Sequence, residues 1–189
     1  MTTSMTGSRR RLALRWLAAI IGFPIGGFVG HLVAGPAATA PAALISGLIA
    51  GAVIGTGQAI ALGLPSRPMA LWAGVTALGL GVGLAGVTAL IGQIDTMTDA
   101  VALGAFSGLT LGAGQAVALA RLRVPNAWVW VLTTALAWSL GWLTTSAIGV
   151  ALAAGWPVYG LSGAIVSTII SAAALWRLAG RESVAPATT

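Results

Sequence analysis

Residues 47–62 read Gly-Leu-Ile-Ala-Gly-Ala-Val-Ile-Gly-Thr-Gly-Gln-Ala-Ile-Ala-Leu, and the second half returns at 112–119 as Gly-Ala-Gly-Gln-Ala-Val-Ala-Leu. The match extends upstream, where Gly47 and Gly51 correspond to Gly104 and Gly108, and downstream, where Pro68 corresponds to Pro125. Trp16, Trp72 and Trp130 open alternate apolar stretches at nearly the same interval. The spacing predicts a hairpin of two helices used three times, with every copy in one orientation because two crossings separate equivalent points. The third copy has drifted, and Ser171 stands approximately where Gln58 and Gln115 stand in the others. The expected architecture is all-α: a polytopic membrane bundle of six transmembrane helices, three tandem helix pairs arranged with pseudo-threefold symmetry. Parallel repeats occur in transporters, yet duplication alone specifies no activity.

Outward from this repeat, uncharged runs lie at about 12–34, 42–62, 69–91, 99–119, 127–150 and 157–177. Each approaches the roughly 20 apolar residues that a helix needs to cross a hydrocarbon core about 30 Å thick. Of the 189 residues, 58% are hydrophobic and 6% charged. A soluble domain carries about 25% charged residues to cover its surface, so this composition excludes one. Gly35-Pro36, Pro65 to Pro68, Pro125-Asn126 and Gly155-Trp156-Pro157 mark loops, and Thr96, Thr98 and Asp99 read as caps before the fourth run. Residues 1–11 and 178–189 read as polar, disordered cytoplasmic tails.

Direction follows from charge. Arg9, Arg10, Arg11, Arg15, Arg67, Arg121, Arg123, Arg177 and Arg181 all fall on one side of a six-span topology, while the opposite loops hold only Asp95 and Asp99. The positive-inside rule makes the arginine side cytoplasmic, with both termini there. Arginine without lysine, and abundant alanine and glycine, fit a GC-rich bacterial genome and hence a bacterial inner membrane. A cleaved signal peptide also begins with basic residues and an apolar run, but its run is usually 7–15 residues, and span one is longer. The net charge of +6 implies contact with anionic lipid headgroups; no basic stripe or RNA-binding signature points to nucleic acid. With no cysteine, there is no disulfide framework or thiolate metal site.

Three glycine triplets each drift little around a helix and form one groove: Gly22, Gly26 and Gly30 in span one, Gly47, Gly51 and Gly55 in span two, and Gly104, Gly108 and Gly112 in span four. Such grooves let backbones approach where lipid offers no hydrophobic drive. They fit packing within one chain or between chains of a homo-oligomer. Gln58 and Gln115 lie within the arc of their own glycine stripes; a carboxamide there either glues helices together or marks the mouth of a solute site. Thr134, Trp138, Trp142 and Thr145 share a narrow face of span five, and with Ser171 they could line a small-solute cavity, although membrane hydroxyls commonly bond back to their own backbone. Trp16, Trp72, Trp128, Trp130, Trp156 and Trp176 read as interface anchors. His31 reads as interfacial, and Pro24 as a kink in span one.

No acid or base lies at mid-membrane depth, where ion-coupled transporters keep one. No catalytic triad or metal-ligand set is present, so neither catalysis nor a cofactor is expected. The hairpins, opened by Trp and closing on Gly-x-Gly-Gln before an Arg-containing turn, resemble uncharacterised bacterial membrane proteins with repeated Trp/Gly/Gln hairpins. The resemblance covers residues 15–150; Ala59 and Ala116 follow the glutamines where that pattern has an aromatic. It implies a polytopic fold and brings no functional residues. The expected role is a non-catalytic structural or accessory component with a membrane-protein partner. The alternative is a small-solute permease or the substrate-binding membrane subunit of an uptake system.

Overall fold

In the computed structural model, which describes residues 3–150 and 152–181, every regular element is helical. Helix α1 (Thr3–Ala18) passes through one 3-10 turn (Ala19–Ile21) into α2 (Gly22–Ala34). Pro24 explains the tightened turn. It has no N–H to offer the Ile20 carbonyl four residues earlier, and its ring crowds that carbonyl. The N-terminal tail expected over 1–11 is corrected from Thr3 onward, where α1 is helical: this stretch holds no proline, and its arginines are good helix formers; residues 1–2 lie outside the described residues. At the other end the helix continues through 178–181, and the tail expected over 182–189 lies outside the described residues.

The chain continues through α3 (Ala40–Leu62), α4 (Ser66–Ile91), α5 (Met97–Arg121), α6 (Val129–Ala147) and α7 (Leu161–Arg181). Thr39 caps α3, and Gly63, at φ 69°, ends it in the left-handed conformation that glycine tolerates best. A reciprocal capping box opens α5: Asp99 N–H donates to Thr96 Oγ1 at 3.1 Å, and Thr96 N–H donates to Asp99 Oδ2 at 3.0 Å. Five helical stretches are long and apolar enough to cross a membrane: Arg10–Ala34, Ala40–Leu62, Ser66–Ile91, Met97–Arg121 and Leu161–Leu178. Helix α6 has 19 residues, and its three tryptophans and its hydroxyl side chains lower its mean hydropathy.

The helices follow one another around a ring, and α1 closes it against α7. Their glycines set the spacing. In the α3–α4 contact, Gly47, Gly51 and Gly55 meet the backbone at Gly81, Ala77 and Ala73. In the α5–α6 contact, Gly104, Gly108 and Gly112 meet Ser139, Ala135 and Val131 in the same register. The span-one triplet faces α3: Gly22 lies on Ile54, Gly26 on Ala50 and Gly30 on Ser46. Gly30 is buried, and a methyl added to it would stand 2.6 Å from the Ser46 carbonyl oxygen. All three grooves are therefore filled inside one chain, which decides for the first of the two packings that the triplets fit. The reason is steric: at Gly51, too, an added methyl would sit 2.7 Å from the Ala77 Cα, a distance no carbon contact tolerates.

The outside of the ring is apolar. Ile21, Ile25, Leu78, Val82, Leu132, Leu136, Ile165 and Ile169 are exposed, far more contiguous apolar surface than water tolerates and suited to lipid. Arg10, Arg15, Arg67, Arg121, Arg123 and Arg177 are all exposed at one end. At the opposite end, helical structure expected from residue 157 begins only at Leu161, a further correction. The segment before it folds inward, burying Pro157, Val158 and Tyr159. Irregular backbone is stable at such depth when protein surrounds it. It is tied to the α2–α3 loop where Ala37 N–H donates to the Gly155 carbonyl at 2.8 Å.

Candidate functional site

Two places in the bundle gather polar and aromatic side chains. The first lies on the ring's axis toward the arginine end. Trp16, Trp72 and Trp130 form a triangle with centroid separations of 6.3, 5.8 and 6.5 Å, in edge-to-face or tilted arrangements. Each is at most 1% exposed. Their expected role as interface anchors is thereby corrected. An indole can be buried when its N–H finds an acceptor, and each of these does. Trp72 Nε1 donates to Gln58 Oε1 at 3.1 Å, Trp130 Nε1 to Gln115 Oε1 at 2.7 Å and Trp16 Nε1 to Ser171 Oγ at 2.8 Å. Trp128, Trp156 and Trp176, by contrast, stay on the surface.

The glutamines are also joined. Gln115 Nε2 donates to Gln58 Oε1 and to Thr76 Oγ1, both at 2.9 Å. Thr76 donates onward to the Trp72 carbonyl at 2.7 Å. A continuous path of hydrogen bonds thus runs Trp72–Gln58–Gln115–Trp130 across four helices. Ser171 is shorter than glutamine, and beside it a void of about 20 Å³ remains, bordered by Gln58, Gln115, Thr134, Trp138, Thr168 and Ser171. That is room for about one water.

The second place is a lateral cleft of about 390 Å³ between α2, α6 and the inward-folded segment that precedes α7. Phe23, Phe28, Trp142, Trp156 and Tyr159 supply aromatic walls, and Thr145 a hydroxyl. Phe23 stacks on Tyr159 at 5.5 Å, and Trp142 meets the same ring edge-on at 5.8 Å. Thr145 Oγ1 pairs with Ser162 Oγ at 3.3 Å, while Trp142 Nε1 is buried without a partner among the described residues. His31 stacks on Trp156 at 4.2 Å beyond the cleft.

The set Thr134, Trp138, Trp142, Thr145 and Ser171 is therefore divided. Thr134, Trp138 and Ser171 border the axial void with the two glutamines; Trp142 and Thr145 border the cleft. Thr134 Oγ1 returns to the Trp130 carbonyl at 2.7 Å. Sequence reasoning missed Thr76 and the indole triangle, although the repeat pairs Thr76 with Thr134 and Trp72 with Trp130. It also missed Tyr159 and Phe23, for which the repeat gave no signal. Compared with known families, curated proteins and solved structures, the chain matches no family, no curated protein and no solved structure.

Proposed function

We propose that this chain is a non-catalytic, multi-pass inner-membrane protein that acts as a structural or accessory component through helix packing. In this reading it has six spans, with the arginine end and both termini cytoplasmic. Three helix pairs surround a pseudo-threefold axis along the membrane normal. The pairs are the tandem hairpins α1–α2 with α3, α4 with α5, and α6 with α7, and the indole that opens each one donates to the polar residue of its neighbour: Trp72 to Gln58, Trp130 to Gln115 and, closing the ring, Trp16 to Ser171. Helix α6 serves as the fifth span and completes the six: its 19 residues rise about 28 Å, close to the hydrocarbon thickness. Its Thr133, Thr134, Thr144 and Ser146 donate to their own helix, which lowers the cost of placing them there.

The observation that carries the accessory role is the closed axis. Three packed indoles and the Gln58–Gln115 pair fill the position that a permeation path along the axis would need. The chain has no native cysteine, so single cysteines report topology cleanly. Cysteines at 67, 121 and 93 should divide: the first two react only with membrane-permeant maleimide on intact cells, the third with impermeant reagent as well. Reaction of 67 or 121 with the impermeant reagent sinks the topology. Gentle purification should retain a protein partner; a chain that always purifies alone argues against the accessory role.

A second reading, the substrate-binding membrane subunit of an uptake system, is favoured by the lateral cleft. Its volume and aromatic lining suit an uncharged small molecule. Uncharged aromatic metabolites should then raise the melting temperature of the purified protein, and Gly160→Leu should abolish the shift by occupying the cleft. No stabilising compound in such a set argues against this reading.

A further inference from the structure

Helix α2 meets α3 in the register with which α4 meets α5. Gly22 lies on Ile54 as Gly79 lies on Leu111, and Gly26 lies on Ala50 as Gly83 lies on Ser107. Toward the arginine end the two interfaces differ. A methyl group added at Gly114 would press on the Val75 carbonyl oxygen at 2.9 Å. Added at the corresponding Gly57, it meets nothing nearer than the Ala19 carbonyl oxygen at 4.0 Å. The 3-10 turn at Ala19–Ile21 lies at this point, and an open groove of about 420 Å³ remains where the equivalent interface is closed.

Small residues floor this groove, including Gly57 and Ala61, and Ile21, Ile25 and Ile60 form its exposed rims. Arg15 stands at its end. Its Nη2 donates to the Ile60 carbonyl at 2.6 Å, a bond that holds the guanidinium over the groove and leaves most of its five N–H donors available. The acidic side chains among the described residues, Asp95 and Asp99, lie at the opposite end of the bundle. From Arg15 to Ile25 the helix rises about 15 Å, half the hydrocarbon thickness and so the depth of one leaflet. An apolar channel one leaflet deep, with a cation at the headgroup level, is complementary to a single amphiphile of opposite charge.

We propose that this groove is a binding site for one anionic glycerophospholipid, its acyl chain lying over Gly57 and its phosphate on the Arg15 guanidinium. Planar bidentate recognition of phosphate is what a guanidinium does best. The site is independent of the axial cluster and of the lateral cleft.

The test uses the full-length chain in nanodiscs of phosphatidylcholine containing a minority of phosphatidylglycerol, followed by native mass spectrometry after detergent extraction. Wild type should retain phosphatidylglycerol in preference to phosphatidylcholine. Gly57→Leu, which places a side chain in open space, should lose the retained lipid while keeping wild-type helicity and melting temperature. Arg15→Gln should lose the preference for the anionic headgroup, and Arg67→Gln, away from the groove, should keep it. If Gly57→Leu retains the lipid, or if Arg67→Gln loses it as fully as Arg15→Gln, the bound lipid is annular only and the site does not exist.

Discussion

Gln115 Nε2 donates to Gln58 Oε1 at 2.9 Å, joining equivalent positions of two helix hairpins that lie 57 residues apart. Gln115 is the more connected partner, since it also donates to Thr76 and accepts from Trp130. Replacing it with leucine strands the Trp130 indole N–H, and a stranded buried polar group costs about 1–3 kcal/mol. Gln115→Leu should therefore destabilise by about 2–3 kcal/mol in reversible unfolding from detergent, and Gln58→Leu should cost the Trp72 bond similarly. A double-mutant cycle should give a coupling of about 0.6–1.7 kcal/mol, the range for hydrogen bonds between membrane helices. Strict additivity would contradict the bond.

Ser171 accepts from Trp16 where the other hairpins use glutamine. The void beside it, about 20 Å³, holds a water but not the extra atoms of a carboxamide side chain. Ser171→Gln, although it restores the sequence repeat, should destabilise by about 1–3 kcal/mol through overpacking. Ser171→Ala should also destabilise, by leaving the Trp16 N–H unpaired. A stabilised Ser171→Gln protein would mean that the third pair is more pliable than its packing indicates.

Glycines at the helix contacts differ sharply from those facing outward. Gly108→Ala would place a methyl 2.7 Å from the Ala135 Cα, whereas Gly74 has nothing within 4 Å. Gly108→Ala should lower the melting temperature by several degrees. Gly74→Ala should leave it unchanged or raise it slightly, because alanine is the better helix former by about 1 kcal/mol. Equal effects would argue against the close backbone contact of α5 with α6.

Arg123 adopts φ 60° in the turn after α5. A left-handed conformation costs a residue with a Cβ about 1–2 kcal/mol, and glycine escapes that cost. Arg123→Gly should therefore raise stability by about 1 kcal/mol, measured by thermal unfolding, with topology maintained by the remaining arginines. A loss of stability would indicate that the Arg123 side chain makes a contact worth more than the strain.

Apolar length, arginine placement and the 57-residue recurrence follow from the order of residues alone. They are enough for an all-helical chain with membrane-length segments, for the loop positions near Pro36, Pro65 and Pro125, and for the cap at Thr96. These features depend on local propensity and on how far a helix rises per residue, and both are carried by neighbours in sequence. The glycine stripes were legible too, but not their partners: that Gly30 would close on Ser46, inside the same chain, needed α2 laid against α3. Three further features needed the folded chain. Trp16 reaches Ser171 across 155 positions, so the last helix pairs with the first, which no local signal announces. The indoles of Trp16, Trp72 and Trp130 turn inward because acceptors wait there; the same side chain serves equally well at a bilayer surface. Thr134 and Thr145 share one helix face, yet they border different cavities, because Tyr159 and Phe23 from distant segments come between. An amphipathic side chain has two good environments, and only the partners brought to it in three dimensions choose between them.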